Sequence, residues 1–135
     1  LFRIGDMLAL QQWELKDSVE VQPCQRVAIE SWWQMIEPPP VSYSMQIAMV
    51  DASGQPVSAA NSPLTTLSTK LWIPDAWFLD ARTLPVRCDT PPGEYPLVMS
   101  VYNPDTFSEA GSLPVSLPDG TPSNDYVYLT TLFVK

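Results

Sequence analysis

The chain has 135 residues, 45% of them apolar, with a formal charge of -8, two cysteines and no histidine. A chain of that length buries about two-thirds of its unfolded surface, enough for one core, so residues 1–135 read as a single domain. The negative charge repels nucleic acid and anionic membrane surfaces, and the missing histidine removes the commonest general base. No apolar run approaches the length of a spanning helix, and no basic segment leads into an apolar one in the manner of a signal peptide, so direct membrane insertion is not expected. The sequence opens at Leu1 rather than Met and is expected to be a fragment of a longer protein.

Fifteen prolines against five glycines, spread among short apolar runs, point to strands joined by rigid turns. Residues 2–15 read as an irregular first strand with a bulge at Gly5, and Val19 to Pro23 as a short second one. From Cys24 to Ile36 the alternation is clear. Val27, Ile29, Ser31, Trp33 and Met35 share one face, and Ala28, Glu30, Trp32 and Gln34 the other. The first set is expected inside, which buries Trp33, as Trp13 is also expected to be buried, and turns Trp32 outward.

Glu37 and three prolines stop that strand, and Val41 to Asp51 forms the next, with Tyr43, Met45, Ile47 and Met49 inward. Asp51-Ala52-Ser53-Gly54 is a hairpin turn leading to a partner strand from Gln55 to about Asn61. Ser62 to Asp75 loses alternation and reads as a crossing connection packed by Leu64, Leu67, Leu71, Trp72 and Ile73. In Ala76 to Val86, Trp77, Leu79, Ala81 and Thr83 oppose Phe78, Asp80, Arg82 and Leu84. Pro91-Pro92-Gly93 launches Glu94 to Tyr102, where Pro96 marks the strand's start or an edge. A loop over 103–112, a short strand from Leu113 to Leu117 and a second loop precede the last strand, Asp125 to Lys135. There Tyr126, Tyr128, Thr130, Leu132 and Val134 fall on one face.

Eight or nine such strands predict an all-β, antiparallel β-sandwich, immunoglobulin-like or jelly-roll-like. Its expected core is Val27, Ile29, Trp33, Met45, Ile47, Met49, Leu79, Leu97, Met99, Val101, Tyr128 and Leu132.

Chemistry is sparse. Cys24 and Cys88 without histidine complete no zinc site, which leaves a disulfide or two buried thiols; both lie at strand margins. The carboxylates fall mostly in turns, as Asp17, Asp51, Asp75, Asp89, Asp105, Asp119 and Asp125, where they cap backbone. Segments 103–109 and 119–125 lack the alternating spacing of a calcium loop. No catalytic residue, metal or cofactor is assigned, and the chain is not expected to be an enzyme. Sugar recognition would use aromatic rings, of which Trp32, Trp72, Trp77 and Tyr102 are available, with Glu30, Gln34, Asn61 and Asp80 as polar partners. The assigned ligand residues are Trp32 as platform, Glu30 and Gln34 on its face, and Trp72 with Asp80. The competing reading is a structural or protein-interaction sandwich without a small ligand.

Several segments, in order, resemble a known family: Cys24 to Gln34 with its Trp-Trp pair, Tyr43 to Asp51 with its Asp-Ala-Ser-Gly turn, Pro63, Ser68-Thr69-Lys70-Leu71-Trp72, Asp80, and Pro91 to Leu97 followed by Val101-Tyr102-Asn103-Pro104-Asp105-Thr106. Together they are similar to the β-sandwich domain that follows the membrane part of bacterial glycosyltransferases using lipid-linked sugars, of the dolichyl-phosphate-mannose mannosyltransferase type. The sequence departs from that pattern at Ala48, where the family often has His, and at Asn61, where it commonly has Asp. The resemblance implies an accessory role outside the cytoplasmic membrane, carbohydrate and the membrane part of its own chain as partners, and a Cys24–Cys88 disulfide.

Overall fold

A computed structural model describes Leu1–Lys135. Ten strands follow one another: β1 (Phe2–Ile4), β2 (Leu8–Leu15), β3 (Glu20–Val21), β4 (Arg26–Met35), β5 (Ser44–Val50), β6 (Pro56–Pro63), β7 (Phe78–Pro85), β8 (Gly93–Tyr102), β9 (Val115–Ser116) and β10 (Val127–Val134). They build two five-stranded sheets, sheet A in the order β7-β4-β2-β1-β9 and sheet B in the order β3-β10-β8-β5-β6. The pairing of β3 with β10 is parallel and the other strand pairs are antiparallel.

The all-β sandwich expected from the alternation is present, with more strands than predicted because residues 2–15 split in two. Gly5 and Asp6 both adopt left-handed backbone, φ 61 and 56, and reverse the chain between β1 and β2. Gly5 therefore makes a turn and not a bulge. Within the loop over 103–112 the chain also closes one helical turn, α1 (Phe107–Ala110).

The connectivity is immunoglobulin-like. In that fold's lettering β10-β8-β5-β6 is G-F-C-C′, lying over the E-B-A order of β7-β4-β2. A second signature agrees. Tyr95, at the start of β8, donates its hydroxyl to the Pro91 carbonyl at 2.7 Å, the tyrosine corner of such sandwiches. Pro91-Pro92-Gly93-Glu94-Tyr95 is thus the corner at which the chain leaves sheet A for sheet B. Pro96 lies one residue beyond the end of the β5 ladder, which stops at Leu97 opposite Met49, so the strand's start tolerates a missing donor although β8 is the middle strand.

Between the sheets lies one core that includes Leu8, Leu10, Ile29, Trp33, Met45, Ile47, Leu97, Met99 and Leu132. Trp33 is fully buried and its indole N–H donates to Ser31 Oγ at 2.8 Å, which satisfies the one polar atom it brings inside. Trp13 packs against this core only partly buried.

Two expected core residues face solvent. Leu79 is 47% exposed because β7 turns Phe78, Asp80, Arg82 and Leu84 inward. Tyr128 is 55% exposed because a register shift between Tyr128 and Thr130 changes the parity of β10. Val127 and Leu129 point inward before the shift, Leu132 and Val134 after it. The 62–75 connection also departs from expectation: Leu64 and Trp72 are buried, but Leu67, Leu71 and Ile73 are exposed.

Two ties hold the elements. Cys24 and Cys88 are disulfide-bonded, with Cα atoms 4.3 Å apart, and both lie at the surface instead of forming buried thiols. The bridge prolongs the β4–β7 ladder, since Cys24 N–H donates to Val86 O and Val86 N–H to Gln25 O. The second tie is an inward ion pair. Arg82 Nε and Nη2 donate to the two Asp80 oxygens at 2.8 Å, and Arg82 Nη1 donates to Met45 O at 2.7 Å, which joins β7 to β5 across the sandwich.

Candidate functional site

The outer face of sheet A carries the residues expected to bind sugar. Trp32 stands between Gln12 of β2 and Leu79 of β7, and alternation puts Glu30 and Gln34 on its face. Both polar neighbours already have partners. Gln34 Oε1 accepts from Gln11 Nε2 at 2.8 Å, and Glu30 pairs with Lys16 at 3.4 Å. The hydrogen bond to Glu30, reinforced by the charges of Glu14 and Glu30, raises the Lys16 ammonium above its ordinary pKa. Trp32 is half-buried, and none of the molecule's four clefts is lined by it.

Trp72 and Asp80 do not join this set. Trp72 is 5% exposed, stacks on Phe78 with ring centroids 4.5 Å apart, and donates its indole N–H to Leu67 O at 3.1 Å. Both faces of usefulness to a sugar, ring and donor, are engaged in packing the connection. Asp80 accepts from Arg82 and from the Thr65 N–H at 2.8 Å, so its carboxylate serves the sandwich interior. The structure therefore groups Trp32, Glu30 and Gln34 but separates Trp72 and Asp80 from them.

Sheet B presents a different outer face. A cleft of about 480 Å³ opens there, within the range of small-ligand sites. Its floor carries no aromatic or charged side chain. Ala48 lies opposite Val98, and Gln46 opposite Ser100, with Pro96 further along β8. One wall is built by Tyr126 and Tyr128, the other by Gly54 and Pro56 of the β5–β6 hairpin. Tyr126 is 40% exposed and Tyr128 55% exposed, so ring surface is open to a ligand.

Local geometry explains each wall. The register shift that turns Tyr128 outward also puts Thr131 on the same face, and the two hydroxyls hydrogen-bond at 2.6 Å, which orients the ring. The hairpin is held by Asp51, whose Oδ1 accepts from the Ser53 hydroxyl and from the Ser53 and Gln55 N–H groups. The Ser53 hydroxyl is the main cause of a depressed Asp51 pKa. Two of the rings and amides considered from sequence flank the cleft on this face: Tyr102 donates its hydroxyl to Asn61 Oδ1 at 2.9 Å, and Asn61 is the register partner of Gln46. Ala48 and Asn61 are also the two positions that depart from the resembled family, and Ala48 forms part of the cleft floor.

Asp125 is the one carboxylate lining the cleft. A hydrolytic pair of acids is not assembled there, while open rings, amide, hydroxyl and carboxylate groups suit the recognition of hydroxylated ligands. Sequence reasoning missed this site because it assigned Tyr128 to the core. A signal was present nonetheless: outward positions 46, 48, 96, 98 and 100 lack bulky or charged side chains, which predicts a hollow.

Two stacked sheets of immunoglobulin-like connectivity with a solvent-open cleft on one outer face define the class of this domain. No protein-family model matches the sequence, and a search of curated proteins finds no match. Among solved structures, the C-terminal domain of wzt is similar with a TM-score of 0.65 and 14% identity, over 100% of this chain and 77% of that one. A Niemann-Pick type C2 protein from Japanese carpenter ant is similar with a TM-score of 0.50 and 7% identity, over 96% of this chain and 93% of that one. At such identities the likeness establishes a shared β-sandwich fold. No helix is long and apolar enough to cross a membrane.

Proposed function

We propose that this chain is a non-catalytic carbohydrate-binding domain, working outside the cytoplasmic membrane as an accessory to a membrane glycosyltransferase. The observation that carries the reading is the sheet B cleft, with two open tyrosine rings above a floor of small and polar side chains. Rings of this kind stack on sugar faces, and Gln46, Ser100 and Asn124 offer donors and acceptors to hydroxyls. The disulfide supports an oxidising compartment. The glycosyltransferase context rests on the ordered sequence segments described above.

A glycan array followed by calorimetric titration tests this. Tyr128→Ser and Val98→Trp are expected to abolish binding while leaving the fold intact, and Trp32→Ala to leave binding unchanged. Loss on Trp32→Ala with retention in the cleft variants would move the site to the sheet A face with Glu30 and Gln34. The alternative, a protein-interaction module without a small ligand, is favoured by one feature: Leu67, Leu71, Ile73, Trp77 and Leu79 are all exposed along the β6–β7 connection and into β7. That reading gains if no glycan is retained and Leu71→Ser with Ile73→Ser disrupts an association with the parent chain's membrane part.

A further inference from the structure

Of the 13 residues lining the cleft, Asp125 alone is charged at neutral pH, and its carboxylate forms no ion pair. None of the chain's basic residues lines the cleft. Four of the seven are committed elsewhere, Arg82 to Asp80, Arg87 to Asp89, Lys16 to Glu14 and Glu30, and Lys135 to Glu20. The cleft thus combines an uncompensated carboxylate with the negative faces of two open tyrosine rings, in a domain of net charge -8. Each attracts a cation: the carboxylate by a charge-assisted hydrogen bond, the rings through their quadrupole, and the whole surface by steering.

From this arrangement we infer that the cleft selects a sugar bearing a free ammonium group, an N-unsubstituted amino sugar, over its neutral N-acylated counterpart. The inference rests on the carbohydrate reading of the same cleft and adds its charge preference. A neutral sugar would use the stacking and hydroxyl contacts alone. An ammonium adds Asp125 and cation–π attraction, and an anionic sugar meets repulsion.

Glucosamine oligomers and N-acetylglucosamine oligomers of equal length, titrated at pH 6 in low and high salt, distinguish the possibilities. The free-amine oligomer is expected to bind about five- to tenfold tighter, a modest factor because the carboxylate is exposed. Asp125→Asn should erase the difference, the free-amine oligomer losing more affinity than the acetylated one. The preference should also shrink with salt and fade as pH rises through the titration of the ligand's amine. Equal affinity for both oligomers overturns the charge preference and leaves the carbohydrate reading standing. Binding of neither overturns both. A preference that survives both Asp125→Asn and Val98→Trp reflects attraction to the acidic surface at large and also overturns the inference.

Discussion

The two outer faces of this sandwich come from sheets of equal strand number, yet the face around Trp32 opens no cleft and the face of sheet B does. On sheet A the outward positions carry Trp32, Glu30, Gln34, Gln12 and Leu79, long side chains that stand side by side, with Gln34 bonded to Gln11 and Glu30 to Lys16. On sheet B, Ala48 of β5 and Pro96, Val98 and Ser100 of β8 are small, and the large rings stand to either side of them, Tyr126 and Tyr128 at β10 and Tyr102 at the end of β8. The difference teaches that concavity in a sheet follows from the size pattern along neighbouring strands. A half-buried tryptophan among long side chains leaves no cleft beside its ring, whereas small residues beside tyrosines leave one.

Substitutions that act on both faces at once set the upper end of this comparison. Trp33→Ala empties the core beneath β4 and should cost about 3–5 kcal/mol, seen as a large drop in the denaturation midpoint and in binding together. Arg82→Met leaves Asp80 buried without its partner and should cost about 3 kcal/mol; if chemical denaturation shows a loss below about 1 kcal/mol, the inter-sheet tie is not a stabilising one.

Changes confined to one face sharpen the contrast. On the carbohydrate reading proposed above, Val98→Trp fills the hollow and should reduce glycan affinity at least about tenfold, equivalent to about 1.4 kcal/mol, with a melting temperature within a few degrees of the parent. Trp32→Ala should change stability by no more than about 1 kcal/mol and leave binding untouched. The smallest effect concerns the hairpin wall. Asp51 is stabilised as its anion in the folded chain, so the stability it lends is complete above the ordinary aspartate pKa and disappears as pH falls through the depressed folded value. Replacing it by Ala should flatten the acid limb of the stability profile by that amount, and an unchanged limb would remove Asp51 from the account.

Much of the fold was legible because alternation reports burial directly where a strand is regular. β4 illustrates this: period two placed Trp33 inside and Trp32 outside, and the structure agrees. β10 illustrates the limit. Its register shift sits at Leu129-Thr130, and one inserted residue inverts every assignment upstream, so Tyr128 was read as core when it walls the cleft. β7 failed for a different reason. Asp80 and Arg82 point inward because they neutralise each other and bond to Thr65 and Met45, partners supplied by distant segments that no local pattern reveals. The β6–β7 connection misled in turn, since its apolar residues divide between interior and surface. Tyr95 lay in plain view within Pro91 to Tyr95, but its corner hydrogen bond became visible only with the turn geometry.

The parallel pairing of β3 with β10 carries a consequence for biosynthesis. Glu20 and Val21 meet Phe133 and Val134, so an early strand of the chain waits for the last one to be made. The partners of β2, β4 and β7 across sheet A, and the cysteines of the bridge, are all present once residue 88 has emerged. Disulfide closure can therefore precede completion of sheet B. A nascent chain halted before residue 127 would hold its bridge and the A-side ladder while β8 keeps one flank open, ready to pair with a neighbouring chain.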